Sequence, residues 1–216
     1  MPNLPDGGFL ALLISKLAPK SEQVRDWVEQ IKVENPDLTK DEIAEYICDY
    51  IVWQFTKQGA ALALPGAIPG LGTVLQISAE LTTISADIAL MIRNQTYIVF
   101  ALGECYGIKG RETLLQDSLI CMGLWTNSII LTRTGAVKLG TKVVEANFKK
   151  RFPAKIFQAI NKRVGRTILT KYGTKRGGAA IGKLIPFGVA VGGGFNYITM
   201  KRFATKSIKY FSLKIG

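Results

Sequence analysis

The chain of 216 residues contains no histidine. This absence excludes sites in which histidine activates a serine or cysteine nucleophile, a histidine general base, and zinc bound by histidine. Lysine, carboxylate and tyrosine chemistry remains open, but no serine or cysteine lies in a recognisable nucleophile elbow. The sequence therefore predicts a protein that is not an enzyme, with no catalytic residues, no cofactor and no metal site.

Cysteine is scarce, and no two cysteines form a Cys-x-x-Cys pair. The three thiols belong to Cys48, Cys105 and Cys121, an odd number in apolar or mixed surroundings. This usage predicts reduced and buried thiols in a cytosolic compartment. The apolar run near the N-terminus is a poor match to a secretory signal, because it has no basic start and Asp6 precedes it.

Alternating, strand-like runs are few, whereas helical periodicity extends over most of the chain. We therefore expect an all-α fold, a single helical bundle with apolar helical hairpins that Gly and Pro interrupt. Thr39, followed three positions later by Glu42, forms a capping box, the signature of a helix N-terminus. The predicted helices cover residues 9–17, 21–35, 40–64, 73–106 and 112–131.

The helical pattern over residues 73–106 is long enough to cross a membrane, but it contains charged residues. Glu80 and Asp87 are seven positions apart and share a helix face, with Asn94 seven positions further on. Such a line of polar groups could bind a metal, relay protons or form one side of an ion pair. Pairing is favoured because buried charges are normally paired, and we predict a buried ionic network of Glu80 and Asp87 with Lys183.

Residues 177–194 contain seven glycines, one proline and a single charge, Lys183. Their first seven residues, GGAAIGK, match a phosphate-binding loop, but Leu184 stands where a hydroxyl residue must follow, and Pro186 obstructs the helix that the loop requires. Nucleotide binding is therefore rejected. Two small-x-x-x-small pairs flank the proline and predict a closely packed hairpin bent near it. The packing glycines are Gly178, Gly182, Gly188 and Gly192.

Acidic residues are rare in the second half of the chain. Residues 1–108 hold 7 Lys or Arg and 13 Asp or Glu, a net charge of −6, whereas residues 109–216 hold 21 and 3, a net charge of +18. This asymmetry predicts an anionic partner for the second half.

The most basic stretch is patterned as an amphipathic helix over residues 153–172, with separate apolar and charged faces. A charged face exposed to solvent and a face that binds an anionic membrane both fit this pattern. Nucleic acid is disfavoured, because no helix-turn-helix, zinc knuckle or RNA-binding signature accompanies the charge. The predicted membrane or lipid contacts are Lys149, Lys150, Arg151, Lys155, Lys162, Arg163 and Arg166.

Four features in order resemble the EcsC family: LPGAIPGLG at residues 64–72, an apolar helix with Asp87, ECYG at residues 104–107, and IGKLIPFGVAVGGGFNY at residues 181–197. The resemblance implies an EcsC-like helical domain over residues 37–216, preceded by a helical extension over residues 1–36. It also implies a membrane-linked bacterial protein, and it brings no catalytic residues.

These observations lead us to expect a membrane-associated helical protein that binds an anionic lipid surface or a membrane-protein partner without catalysis. We expect it at the cytoplasmic side of the membrane, peripheral or partly inserted. Two alternatives stay open, a membrane-perturbing or pore-forming effector and an enzyme that acts on an apolar substrate through a carboxylate and lysine site. The sequence does not predict an oligomeric state.

Overall fold

The computed structural model describes residues 7–61, 86–127 and 185–215, with side chains described for 10–57, 89–127 and 196–215. These residues are helical, with short connections and no strands, and the helices pack against one another, which confirms the predicted all-α bundle. The helices are α1 (Gly7–Leu17), α2 (Ser21–Glu34), α3 (Lys40–Ala61), α4 (Ala86–Tyr106), α5 (Arg111–Trp125) and α6 (Ile185–Ile215). In this part of the chain no helix combines the length and the apolar character needed to cross a bilayer.

The N-terminus of α3 has the predicted capping box. The backbone N–H of Thr39 donates to Oε2 of Glu42 at 2.8 Å, and the backbone N–H of Glu42 donates to Oγ1 of Thr39 at 3.3 Å. Two N–H groups that the first turn cannot pair are thereby satisfied. The hydrogen bonds from the Thr39 hydroxyl and backbone also lower the pKa of Glu42.

Helix α4 ends at Tyr106 and α5 begins at Arg111, within one residue of the predicted boundaries at 106 and 112. Gly107 and Gly110 have φ values of 79° and 99°, which other residues rarely adopt, and they reverse the chain between the two helices. The helices then pack closely, because a Cβ added at Gly103 would overlap Cδ2 of Leu114.

Helix α5 ends earlier than predicted, at Trp125 instead of near residue 131. Asn127 has a φ of 60°, outside the helical region. A contact from a distant part of the chain stabilises this ending, since Nζ of Lys206 donates to the carbonyl of Leu124 at 2.7 Å and to Oδ1 of Asn127 at 2.6 Å. A cation at a helix C-terminus is favourable because it meets unpaired carbonyl groups.

Helix α4 lies at the centre of the bundle and packs against each of the other five described helices. Its buried residues include Ile92, Ile98, Phe100 and Leu102. Helices α1 and α2 contribute to the same apolar core, for example through Leu10 and Val28. The division of the chain at residue 36 stays a prediction.

Contacts between the long helices fix their relative directions. Helix α3 runs antiparallel to α4. The hydroxyl of Tyr106, at the end of α4, donates to Oδ1 of Asp41, at the start of α3, at 2.6 Å. Tyr50, later in α3, and Tyr97, earlier in α4, both contact the ring of Trp27. Helix α3 also runs antiparallel to α6. Asp49, near the middle of α3, pairs with Lys201 of α6. One turn later in α3, Trp53 contacts Tyr197, which is one turn earlier in α6.

These directions place three helix termini at one end of the bundle, which we call the apolar end. Helix α3 ends there at Ala61, α4 begins there at Ala86, and α6 begins there at Ile185. Residues 62–85, which join α3 to α4, contain one charged residue, and α6 contains none before Lys201. Two stretches that are poor in charge therefore meet the bundle at the same end.

The opposite end, which we call the turn end, holds the connection between α4 and α5 and the N-terminus of α3. There Arg111 donates to the carbonyl of Ser15, in the last turn of α1, at 3.2 Å and to that of Pro19, just after α1, at 2.7 Å. Its guanidinium also lies over the ring of Phe100, 5.6 Å from the centroid. Polar contacts of this kind close the turn end.

Candidate functional site: an exposed aromatic surface beside the apolar end

Most of the predicted site residues lie outside the described part of the chain. This holds for all seven predicted lipid contacts, Lys149, Lys150, Arg151, Lys155, Lys162, Arg163 and Arg166, and for Glu80, Lys183, Gly178 and Gly182. Asp87 lies in the first turn of α4, but its side chain is outside the described set. The ionic network of Glu80, Asp87 and Lys183 therefore stays a prediction.

The structure describes part of the predicted glycine hairpin. Pro186 is the second residue of α6, a position in the first turn where proline has no N–H to leave unpaired. Gly188 and Gly192 lie within the same uninterrupted helix of 31 residues. Pro186 thus lies at the N-terminal boundary of α6. The bend and the hairpin arm before it involve residues outside the described part of the chain, so the hairpin stays a prediction.

Large aromatic side chains are exposed on α3. Tyr46, Tyr50 and Trp53 recur at i, i+4 and i+7, which places them on one helix face. Their exposed fractions are 49%, 47% and 55%, respectively, whereas Ile47 and Ile51 on the other side of the helix are buried. Helix α3 therefore has a core face and an aromatic face.

The aromatic face of α3 continues onto α6. The rings of Trp53 and Tyr197 lie 5.3 Å apart, and Ile198, next in the chain, is 52% exposed. Trp27 of α2 borders the face from the other side, with its ring 5.5 Å from that of Tyr50. We call the group Tyr46, Tyr50, Trp53, Tyr197 and Ile198 the aromatic surface.

Charge changes systematically along the aromatic face. Exposed acids, including Glu42 and Glu45, lie toward the turn end, whereas exposed Lys57 lies one turn beyond Trp53 toward the apolar end. Between them, the carboxylate of Asp49 is neutralised by Lys201, and its hydrogen bond raises the pKa of Lys201. The part of the surface nearest the apolar end therefore has no unpaired carboxylate among its described residues.

A second polar group is buried between α5 and α6. Oδ1 of Asp117 accepts hydrogen bonds from the hydroxyl of Tyr210 and from Nζ of Lys214, each at 2.7 Å, and Oδ2 accepts from Lys214 at 2.8 Å. The side chain of Asp117 is 3% exposed and that of Lys214 is 20% exposed. Burial and the neighbouring carboxylate raise the pKa of Tyr210 well above its usual range.

The Asp117 cluster has the residue types of a carboxylate and lysine site, but its groups are already paired with one another. Each carboxylate oxygen accepts at least one hydrogen bond, and Asp117 is closed off from solvent. The arrangement is that of a structural ion pair, which needs both partners and supporting hydrogen bonds to offset the loss of hydration.

The thiols lie in the core, as predicted. Cys48, Cys105 and Cys121 are free and buried. Burial raises the pKa of the Cys105 thiol to about 11, and it raises the pKa of the other two thiols further. Thiols with raised pKa values are poor nucleophiles and poor metal ligands at neutral pH. Within the described ranges no cluster of three or more Cys, Asp or Glu side chains could hold a metal.

Sequence reasoning did not single out the aromatic surface or the Asp117 cluster. The spacing of Tyr46, Tyr50 and Trp53 was visible, but a stripe at helical spacing fits a buried face as well as an exposed one. Asp117 is one of the three acids in the second half of the chain and stands in an apolar helix, a signal for a buried pair. Its partner could not be read from the sequence, since Lys214 is 97 positions away.

Comparisons with protein-family models, with curated proteins and with solved structures find no match to this chain. The resemblance to the EcsC family therefore stays a prediction that rests on the motifs quoted above.

Proposed function

We propose that the protein is a membrane-associated helical protein that binds the anionic surface of a lipid bilayer without catalysing a reaction. The observation that carries the proposal is the convergence of α3, α4 and α6 on the apolar end. Residues 62–85, with one charged residue, and the uncharged first half of α6 meet the bundle there, while polar contacts close the turn end.

The physical reason for the proposal is that apolar and polar surfaces lie at opposite ends of the bundle. Apolar segments that join a bundle at one end can be covered by lipid together, while most charged side chains of the protein stay in water. The net charge of +18 in the second half of the chain adds attraction, since each Lys or Arg near an anionic leaflet contributes about 1 kcal/mol. Both contributions favour an anionic membrane over a neutral one.

Flotation of the full chain with protein-free vesicles tests this proposal. We expect the protein to float with vesicles of phosphatidylcholine and phosphatidylglycerol at low salt, to float poorly with phosphatidylcholine alone, and to be released as salt screens the charges. Binding to native membranes but not to protein-free vesicles would assign a membrane protein as the partner and contradict the proposal.

A pair of variants with equal charge change makes the flotation test specific. Replacing Lys149, Lys150 and Arg151 by Glu should abolish the preference for anionic vesicles, because these residues are three of the seven predicted lipid contacts. The matched control replaces Lys20, Lys40 and Lys109 by Glu, three exposed lysines near the turn end, and should float like the wild type. If both variants lose the same share of binding to anionic vesicles, binding depends on the net charge of the chain and not on where the charges lie.

Dye release from the same vesicles separates binding from membrane perturbation. The proposal predicts that vesicles which bind the protein keep an encapsulated dye. Release of the dye in proportion to bound protein would support the alternative of a pore-forming effector, in which the Gly- and Pro-rich segments leave the bundle and insert.

A further inference from the structure

The aromatic surface has an arrangement that core packing does not explain. Tyr46, Tyr50 and Trp53 are each about half exposed, although burying an aromatic side chain of this size stabilises a fold by about 1.5–3 kcal/mol. The other large apolar side chains that are exposed in the described ranges, Leu12, Val33 and Ile215, stand singly on α1, on α2 and at the C-terminal end of α6. A contiguous exposed patch marks a binding surface more often than scattered single residues do.

The residue types indicate what covers the patch. Tyr and Trp combine an apolar ring with a polar hydroxyl or N–H group, and they are enriched where one side of a protein surface meets lipid headgroups and the other meets water. A protein partner can also bury such rings. The position of the patch favours lipid, because Trp53 and Tyr197 lie in the halves of α3 and α6 nearer the apolar end, about 12 Å and 18 Å from the helix termini there.

We infer that the part of the aromatic surface formed by Tyr50, Trp53, Tyr197 and Ile198 lies in the headgroup region of the bilayer, with Tyr46 at its border with water and the apolar end directed toward the hydrocarbon. This inference rests on the proposed function and adds to it an orientation and the residues that anchor it. The partner that covers this surface is lipid, in which acyl chains lie below anionic headgroups.

Distances along α3 are consistent with this orientation. The interfacial layer on each side of a bilayer is about 5–8 Å thick. Glu45 and Glu42 precede Trp53 by eight and eleven residues, which at 1.5 Å per residue places them about 12 and 16 Å away toward water. The unpaired acids of the face therefore lie outside the layer when Trp53 lies within it.

The cations on the face are placed to meet phosphate groups. Lys57 lies about 6 Å beyond Trp53, and helical side chains lean toward the N-terminus, so its long stem can return the ammonium group to the level of Trp53. Lys201 neutralises Asp49 one turn before Trp53, so that no lone carboxylate faces the anionic headgroups there.

Quenching by lipids that carry bromine on their acyl chains tests the depth of Trp53. The wild type has three tryptophans, Trp27, Trp53 and Trp125, of which Trp125 is buried. On anionic vesicles we expect brominated lipid to quench part of the wild-type emission, and we expect Trp53→Phe to remove that quenched part. The exposed position of Trp53 makes this substitution harmless to the core.

The affinity of two exposed-residue variants tests the same inference independently. Trp53→Ala should weaken binding to anionic vesicles by about tenfold or more, because the variant has no indole ring to transfer from water to lipid. Val33→Ala, the control, removes an apolar side chain that is 78% exposed on α2 and should bind like the wild type.

The outcomes separate this inference from the proposed function. Wild-type protein that floats with anionic vesicles, but shows no quenching and no loss of affinity in Trp53→Ala, would overturn the orientation and leave membrane binding intact. Protein that does not float would overturn both. A dimer that dissociates in Trp53→Ala while lipid binding is unchanged would assign the surface to a second copy of the chain and also overturn the inference.

Discussion

Lys214 lies against Asp117 with its Nζ 2.7 Å and 2.8 Å from the two carboxylate oxygens. The pair joins the last turn of α6 to the middle of α5, and the hydroxyl of Tyr210 supports it from the preceding turn. Together with Lys201 on Asp49 and Lys206 at the end of α5, it gives α6 three charged attachments to the bundle. The long helix that begins at the apolar end is thus fixed to the bundle along its described side chains.

Removal of Lys214 should destabilise the fold strongly. Lys214→Met leaves the carboxylate of Asp117 buried without its cation, and we expect a loss of about 3–5 kcal/mol in the free energy of unfolding, measured by urea denaturation. The control Lys209→Ala, at an exposed position of the same helix, should change it by less than about 0.5 kcal/mol.

The double variant Asp117→Leu with Lys214→Met distinguishes a mutual pair from two independent contributions. Because the second substitution removes the charge that the first leaves unpaired, the double variant should be more stable than Lys214→Met alone. If the losses in free energy of unfolding of the two single variants add up in the double variant, the two residues do not stabilise the fold as a pair.

Gln95 on α4 offers a stabilising substitution. Its side chain is fully buried, and neither atom of its amide has a hydrogen-bond partner in the part of the chain that the structure describes. An unsatisfied buried amide costs about 1–3 kcal/mol, so Gln95→Met, similar in length, should raise the free energy of unfolding by about that amount.

The neighbour Thr96 serves as the control for Gln95. It is equally buried, but its hydroxyl donates to the carbonyl of Ile92 at 2.8 Å, so Thr96→Val should give no comparable gain. A loss of stability in Gln95→Met would mean that the amide has a partner that matters to the fold.

Gly103 permits the close approach of α4 and α5. Gly103→Ala gains about 1 kcal/mol of helix propensity, but the new methyl group overlaps Leu114, which is almost fully buried and has little room to move. Overpacking costs about 1–3 kcal/mol, and we therefore expect a net loss of stability, seen as a lower urea midpoint. Combining Gly103→Ala with Leu114→Ala should cost less than the two separate losses together, and strict additivity would argue against the contact.

The capping box predicts a pH dependence. The pKa of Glu42 is lower in the folded state than in the unfolded state because Thr39 donates hydrogen bonds to its carboxylate. The resulting stabilisation is present above the unfolded pKa of about 4.3 and is lost as the pH falls through the folded pKa.

Glu42→Gln is the matched variant for this prediction, since it keeps the acceptor oxygen and cannot titrate. The difference in free energy of unfolding between the wild type and Glu42→Gln should be larger at about pH 7 than at about pH 3. A difference that stays constant over this range would show that the carboxylate charge does not contribute.

Local signals in the sequence predicted the local parts of the fold. The capping box of Thr39 and Glu42, and the glycines after α4, act within a few residues of the chain and are read directly. The early end of α5 could not be read in this way, because it depends on Lys206, which is 82 positions from Leu124.

The same limit applies to the candidate site. The helical spacing of Tyr46, Tyr50 and Trp53 is visible in the sequence, but their exposure depends on which side of α3 packs against α4 and α6. The alternative face, with Ile47 and Ile51, has equal spacing and larger β-branched content. Only the packed bundle distinguishes the core face from the surface that we assign to lipid.

Hydroxyl-radical footprinting of the full chain, with and without anionic vesicles, tests most directly whether the apolar end faces the membrane. Trp53 and Tyr197 should lose reactivity when vesicles are added. Ile215, which is 47% exposed at the other end of α6 and about 25 Å from Ile198 along the helix, should keep its reactivity. Protection of Ile215 with unchanged reactivity at Trp53 and Tyr197 would contradict the account.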